Sequence, residues 1–253
     1  MLTPSAPGER ELVSPLGRTS PLVKLGLALV WLVGLAFTTA IWPPLALAAV
    51  ALVAALVLGA VPAGRLLRAL APLLGAALGI ALFNALFSTS NGDPGAPVAI
   101  AAGPFRVTGP ALDAGLGLGA RVVAIVSVGA AFALTTDPTR LVDALVQQGR
   151  LSARFAYGAL AAYQALPRLS DDLAVLRSAR RIRGLRGSWG ARTFVGLLVR
   201  AIRGADQLAA AMDARAFGTG PRSTYRPLAW RPLDVTVAVA GVVVLIGALR
   251  IPA

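Results

Sequence analysis

Arginine is the residue type in this sequence whose placement can do specific chemistry, and two segments place it in the same way. "SARRIRGLRG" (178–187) and "AAAMDARAFG" (209–218) each continue a helix-like pattern, carry arginine near the end and stop at a glycine. The guanidinium is a rigid, permanently charged fork that pairs with a carboxylate through two parallel hydrogen bonds. The small side chains of Ala214 and Ala216 leave room for another surface to approach. The two segments therefore predict two contact points for an acidic partner surface.

Other reactive residue types are scarce. The chain has no cysteine and no histidine, which excludes disulfides, thiolate and imidazole metal ligands, and histidine-based acid–base catalysis. The one lysine, Lys24, lies in "SPLVKLG" and not in a phosphate-binding GxxxxGK[ST] loop. We therefore predict no catalytic residues, no metal site and no cofactor.

A simpler interpretation of the two arginine segments stays open. An arginine in the last turn of a helix complements the helix dipole and bonds the free carbonyls, and a following glycine takes the left-handed conformation that ends the helix. Arg183 with Gly184, and Arg215 with Gly218, fit this helix-end chemistry without any partner.

The composition predicts an all-α membrane protein. Of the 253 residues, 57% are hydrophobic and only 14% are charged, whereas soluble domains are nearer 45–50% apolar. A helical span needs about 20 mostly apolar residues. Five runs fit, with a tight corner expected at the two prolines that follow the first: Leu22–Trp42, Leu45–Val61, Leu67–Phe87, Ala111–Thr135 and Leu233–Leu249.

The region between the fourth and fifth runs has a different character. Residues 136–232 hold 16 of the 23 arginines, and no run in them is long enough to span. "FAYGALAAYQAL" (155–166) predicts a short buried or interfacial helix, and the segments after it are helical and amphipathic. The apolar stripe of the last segment consists of Phe194, Leu197, Leu198, Ala201, Ala205, Leu208 and Met212. We see no β-strand signal and no internal repeat.

The arginine distribution predicts the topology. Short arginine-bearing loops stay in the cytoplasm, so the 62–68 turn and the basic region are expected inside, and the 88–110 loop outside. The predicted organisation is an N-terminal cytoplasmic tail (1–21), a four-span domain (22–135), a cytoplasmic helical region (136–232) and a last span (233–253). The predicted location is the cell (plasma or inner) membrane.

Two polar side chains within the apolar runs are candidates for a functional role. Arg121 lies within the fourth run and Asn84 within the third. A charge inside a span is costly and usually faces a protein interior or water. Arg121 is expected to meet Asn84, Asp113 or a partner subunit, or else to extend to the outer membrane interface.

These features resemble the transmembrane T component of energy-coupling factor (ECF) transporters. The family's pair of Ala-Arg-Gly motifs, which end two coupling helices, aligns with Ile182-Arg183-Gly184 and with Ala214-Arg215-Ala216. "FALTTDPTRLVDAL" (132–145) is similar to the family's join between membrane domain and first coupling helix, and the resemblance covers roughly residues 22–250. Ile182 replaces the family's alanine and Ala216 its glycine, while both arginines are kept.

The resemblance implies a multi-span bundle with long cytoplasmic coupling helices and the role of a coupling subunit. Two ABC-type ATPase subunits would receive the two arginine ends, and a substrate-binding membrane S component would pack on the apolar stripes. The substrate would be a vitamin or a transition-metal ion. The residues implied in ATPase coupling are Ile182, Arg183, Gly184, Ala214, Arg215, Ala216 and Gly218.

Three other functions would leave different signatures in the sequence. A conventional permease would show a single EAA-type coupling motif, which is absent. A lipid-headgroup transferase would need an acidic cluster after Asp213, and none follows. A passive scaffold with lipid-bound basic helices would depend on total positive charge, not on two particular arginines. Nucleic-acid binding is not expected, since topology explains the arginines and no stacking aromatics accompany them. The transported substrate cannot be read from this chain.

Overall fold

The computed structural model describes residues 14–38, 40–93, 95–102, 105–184, 190–217, 224 and 226–250. Nine α-helices and two strands are found in these ranges. In chain order the helices are α1 Pro15–Arg18, α2 Pro21–Ala36, α3 Trp42–Val53, α4 Ala63–Leu86, α5 Gly109–Leu134, α6 Pro138–Gln147, α7 Ala153–Ile182, α8 Ala191–Ala214 and α9 Pro232–Leu249. The strands, β1 Val98–Ala102 and β2 Phe105–Thr108, lie between α4 and α5. The predicted all-α class is confirmed.

The chain divides into two compact units. The first consists of Met1–Leu141 and Ala229–Ala253, and the second of Val142–Leu228. The boundary at Leu141 falls inside α6, so one continuous helix carries the chain from the first unit into the second.

Within the described ranges, three helical segments are long and apolar enough to cross a membrane. They are Ala63–Gly92, Gly109–Leu134 and Pro232–Leu249, which correspond to the third, fourth and fifth predicted runs. The first two runs form shorter apolar helices, Pro21–Ala36 and Trp42–Leu58, the latter ending in a π-helical turn. At 1.5 Å per residue a 16-residue helix is about 24 Å long, which is shorter than a typical hydrocarbon core.

The prolines after the first run do not form the corner that the sequence predicted. Pro43 and Pro44 lie in the first turn of α3, where the missing N–H of proline has no intrahelical partner to lose. The chain instead leaves α2 at Phe37, and the turn is completed before Trp42.

Small residues bring α4 and α5 close together. A Cβ added to Gly115 would lie 2.7 Å from the carbonyl oxygen of Ala81, and one added to Gly119 would lie 2.7 Å from the Ala81 Cβ. Such spacing lets helix backbones approach closely where lipid offers no hydrophobic driving force. A buried apolar cluster from four helices completes the core: Trp31, Leu35, Leu47, Ala48, Ala51, Ala124, Val128, Leu245 and Ala248.

Helices α2 and α9, which are far apart in sequence, run in the same direction. At one end Asp234 accepts a hydrogen bond from the Ser20 N–H at 2.6 Å, and further along both helices Leu27 packs against Gly241. The Asp234 carboxylate is buried and also accepts from the Arg231 N–H, so it satisfies donors at the N-termini of both helices. Helices α2 and α9 therefore begin at the same end of the first unit.

The segment between α4 and α5 contains an element that the sequence analysis missed. β1 and β2 form an antiparallel hairpin within the Gly/Pro-rich loop, where no strand was predicted. Asn91 supports it: its amide donates to the Ala85 and Leu86 carbonyls at the end of α4, and its oxygen accepts from the Thr108 N–H at 2.9 Å. Four- and five-residue strands with one polar anchor carry too little pattern to be recognised in sequence.

The second unit is dominated by two long helices. The predicted short helix 155–166 is instead the first part of α7, a continuous helix of 30 residues with Pro167 inside it. Proline removes the hydrogen bond to the Tyr163 carbonyl but does not end the helix here. α8 follows with 24 residues.

Candidate functional site: two arginine-bearing helix ends

The two long helices of the second unit run in opposite directions. Arg200 on α8 forms an ion pair with Asp172 on α7, with 2.7 Å between Nη1 and Oδ1. One turn further on α7, Leu176 lies beside Gly196, which is one turn earlier on α8. The end of α8 accordingly lies near the beginning of α7, and the end of α7 lies far from it.

The first arginine end, residues 182–184, is called the Arg183 tip. Arg183 is the residue immediately after α7, and its N–H bonds the Ala179 carbonyl. Gly184 follows with φ of 70°, and its N–H bonds the Arg181 carbonyl at 3.0 Å. This left-handed glycine ends the helix in the ordinary way and leaves the arginine side chain at the very end.

The second arginine end, residues 214–217, is called the Arg215 tip and has the same construction. Arg215 is the residue immediately after α8, and Ala216 follows with φ of 54°. The Ala216 N–H bonds the Asp213 carbonyl and the Phe217 N–H bonds the Met212 carbonyl, both at 2.9 Å. This pair of bonds is a Schellman turn, in which alanine occupies the left-handed position that glycine usually takes.

Both tips are open to other molecules. Ile182, with 87% of its surface exposed, Arg183 and Gly184 are exposed, and so are Ala214, Arg215 and Ala216. Within the described part of the chain, neither guanidinium has a hydrogen-bond or ion-pair partner. Gly218, predicted as part of the second tip, lies outside the described residues.

The two tips lie at opposite ends of α7. Phe217 of the Arg215 tip contacts Tyr157, close to the start of α7, with 6.5 Å between ring centroids. Tyr157 and Arg183 are 26 positions apart on α7, which corresponds to about 39 Å at 1.5 Å per residue. One small surface cannot contact both arginines.

The residues that hold the Arg215 tip were not predicted from the sequence. The Tyr157 hydroxyl donates to Asp143 Oδ1 on α6 at 2.8 Å. Burial, followed by the hydrogen bond and the charge of Asp143, raises the pKa of the Tyr157 phenol above its ordinary value of 10.0. Asp143 and Tyr157 lie on different helices, so no local spacing signals the pair.

The apolar stripe predicted on α8 is present, and most of its large side chains are exposed. Phe194, Leu198 and Leu208 are among them, together with Val195 and Ile202 beside the stripe. Contiguous apolar surface of this kind marks a site for another protein or for lipid.

The two intramembrane polar residues have different surroundings. Arg121 on α5 donates to the Thr38 carbonyl, just beyond the end of α2, a contact that the sequence did not indicate. Its Nε atom is buried without a hydrogen-bond partner in the described part of the chain. Asn84 is exposed on α4. No cluster of metal-ligating side chains is found among the described residues.

These features define a class: a helical membrane protein whose second unit presents two arginine-capped helix ends. The chain belongs to the CbiQ family, whose description is "Cobalt transport protein", with residues 13–225 matched. It is also 32% identical over 254 residues to the energy-coupling factor transporter transmembrane protein EcfT of Heliobacterium modesticaldum, covering 93% of each chain. The chain is thus an ECF transporter T component, as the sequence analysis predicted.

Two further relatives extend the comparison. The EcfT protein of Leuconostoc gelidum is 30% identical over 158 residues, covering 56% of this chain and 59% of that one. A Bifidobacterium longum protein described as a putative ABC transporter ATP-binding protein is 27% identical over 205 residues, covering 73% of this chain but 25% of its own length. The family links this membrane component to ABC-type ATPases.

Proposed function

We propose that this chain is the non-catalytic coupling subunit of an ECF-type importer for a vitamin or a transition-metal ion. The Arg183 and Arg215 tips would dock into acidic grooves on two ABC-type ATPase subunits. The observation that carries the proposal is that the two arginines have equivalent positions at helix ends, are exposed and have no partner within the described residues. They lie at opposite ends of α7, on which Tyr157 and Arg183 are about 39 Å apart. This arrangement suits two separate partner subunits better than one.

The docking chemistry follows from the end of each helix. A helix C-terminus is electronegative and favours a cation, but it leaves the guanidinium fork free to pair with a carboxylate outside. Truncating one member of a buried, hydrogen-bonded charge pair at an interface costs 2 kcal/mol or more, much of it from the charge left without a partner. Each tip would therefore be a main determinant of binding.

The remaining surfaces supply the other proposed partners. The exposed apolar face of α8 would pack against a substrate-binding S component or the bilayer. The second unit would be cytoplasmic, in agreement with its excess of arginine, and the N-terminal tail would lie on the same side. The Bifidobacterium longum relative, described as an ATP-binding protein, supports association with ATPases.

A pull-down from native membranes tests this function. The wild-type chain is compared with Arg183→Ala, Arg215→Ala and the double variant, and co-purifying ATPases are quantified by mass spectrometry. Each single variant is expected to lower ATPase recovery at least tenfold, and the double variant to abolish it. The matched controls are Arg181→Ala and Arg203→Ala, which remove exposed arginines from the same two helices.

The controls separate the alternatives. If the basic helices only lie on anionic lipid, all four single variants should weaken membrane or partner association equally, because each removes one charge. Equal losses would favour the scaffold function. Absence of any ATPase from the wild-type sample, even after crosslinking, would count against the coupling function and favour a scaffold or a conventional permease.

A further inference from the structure

The turn that follows Arg215 orients an aromatic side chain. The left-handed conformation of Ala216 reverses the chain, and the Phe217 N–H returns to the Met212 carbonyl. Phe217 is therefore folded back against the unit and is only partly exposed, whereas Arg215 is exposed. One tight turn thus separates a side chain available for docking from one that packs inward.

Phe217 leads to a chain of contacts that ends on α6. Its ring meets Tyr157 edge-to-face, at an interplanar angle of 76°, and the Tyr157 hydroxyl bonds Asp143. Edge-to-face aromatic pairs and hydrogen bonds to carboxylates are both directional, so each restrains orientation as well as distance. The Arg215 tip is thereby fixed to α6 through two side chains.

α6 also holds the segment by which the chain leaves the second unit. Gln147, the last residue of α6, donates to the Arg226 carbonyl at 3.0 Å and accepts from the Leu228 N–H at 2.8 Å. Asp143 and Gln147 are four positions apart and so lie on the same face of α6. The same turn of α6 therefore contacts two parts of the second unit. Gln147 bonds the segment 226–228, by which the chain leaves the unit, and Asp143 bonds Tyr157, which supports the Arg215 tip.

We propose that Tyr157 and Asp143 are positioning residues that set the orientation of the Arg215 tip and pass its displacement to α6. The proposal rests on the proposed function, because it assigns a consequence to docking at Arg215. Tyr157 acts through Arg215 and does not itself touch the partner. The second tip is thus linked directly to the helix through which the chain enters this unit.

The pair is tested first in the chain by itself. The sequence contains no cysteine, so an Ala211→Cys substitution on the exposed surface of α8 carries a nitroxide at a single site. In lipid nanodiscs, Tyr157→Phe is expected to raise the mobile fraction of the label several-fold, since the ring remains but the hydrogen bond is lost. The matched control is Tyr163→Phe, which removes the same hydroxyl from an exposed tyrosine on the same helix and should leave the spectrum unchanged.

The second measurement is the affinity of the chain for the co-purifying ATPases. Tyr157→Phe is expected to weaken it about tenfold, the size expected for one hydrogen bond to a carboxylate. The same substitution should still cost about tenfold in an Arg183→Ala background and nothing further in an Arg215→Ala background, because Tyr157 acts through Arg215. A role only in folding would lower affinity in both backgrounds.

The outcomes are distinct. Equal losses in the two arginine backgrounds, or an unchanged label spectrum in Tyr157→Phe, would overturn the positioning role. If the wild-type chain captures no ATPase, the coupling function fails, yet the nitroxide spectrum still shows whether Tyr157 holds the tip. Asp143→Asn completes a double-mutant cycle with Tyr157→Phe. The double variant should lose little more ATPase affinity than either single variant, because both substitutions remove the same hydrogen bond.

Discussion

Lys24 and Arg121 each donate a hydrogen bond to a carbonyl at the C-terminal end of the other's helix. Lys24 Nζ, from α2, lies 2.6 Å from the Thr135 carbonyl oxygen that follows α5, and Arg121, from α5, donates to the Thr38 carbonyl that follows α2. The two helices are antiparallel, so a cation from each helix reaches the C-terminal end of the other. Each cation thereby satisfies a free carbonyl at the electronegative end of the neighbouring helix. Two charges that are costly inside a membrane protein thereby become part of its packing.

Removing these cations should lower stability unequally. Lys24 is 8% exposed and its ammonium bonds a carbonyl, so Lys24→Met is expected to destabilise the folded state by about 2 kcal/mol. Arg121→Met should cost about 1 kcal/mol, because it also removes a buried Nε atom that has no partner in the described residues. Thermal unfolding in detergent measures both, with the exposed Arg68→Met as the control. A larger loss for Arg121 than for Lys24 would contradict this account.

The two helix ends should respond in opposite directions to exchange of their left-handed residues. Gly184→Ala is expected to destabilise its turn by about 1 kcal/mol through backbone strain alone, since an added Cβ would meet no atom of the described residues within 4 Å. Ala216→Gly should stabilise its turn by about 0.5 kcal/mol, because glycine adopts the left-handed conformation without the strain that alanine bears there. The gain is small, since glycine also makes the unfolded chain more flexible. Thermal unfolding measures both changes in stability, and amide hydrogen exchange of Phe217 reports on the turn at Ala216. Stability changes of the same sign in the two variants would contradict the conclusion that both turns have the same left-handed geometry.

The ion pair between Asp172 and Arg200 should contribute little. Its side chains are 38% and 44% exposed, and solvent-exposed pairs typically couple by 0.2–1 kcal/mol. A double-mutant cycle with Asp172→Asn and Arg200→Gln is expected to give a coupling of about 0.5 kcal/mol that falls on going from 0.05 to about 0.5 M salt. A coupling above about 2 kcal/mol that salt does not change would show that the pair becomes buried in the functional assembly.

The Tyr157 contact should be lost at alkaline pH. Because the pKa of Tyr157 is raised in the folded chain, the neutral phenol contributes stability that is complete below about pH 10 and is lost as pH rises through the higher folded pKa. The nitroxide at Ala211→Cys should therefore become more mobile as pH rises above 10 in the wild-type background. In Tyr157→Phe the label should already be mobile at pH 8 and show no such step. A step of equal size in that variant would assign the transition to another group.

The sequence predicted the helix ends at the two arginines because helix termination is local. Arg183 precedes Gly184 directly, and a left-handed residue next to the last helical turn is a short-range signal. The apolar runs were recognised for the same reason, since roughly 20 apolar residues in succession indicate a membrane helix without knowledge of its neighbours. The positions of the last three runs agree closely with the helices that the structure contains.

Elements that depend on distant residues were missed or misplaced. The hairpin at Val98–Thr108 rests on Asn91, and the single helix Ala153–Ile182 appears in the sequence as a short apolar segment followed by an amphipathic one. Short strands and a helix whose apolar face changes along its length give no consistent periodicity.

The sequence by itself determined which side chains can pair with a carboxylate and that they end two helices, because composition and termination are properties of neighbouring residues. Only the tertiary structure decided that Arg183 and Arg215 lie at opposite ends of α7, and that Phe217, Tyr157 and Asp143 connect one of them to α6. The physical reason is that the antiparallel packing of α7 and α8 depends on contacts such as Asp172 with Arg200, which lie 28 residues apart in the chain. No pattern along one helix contains that information.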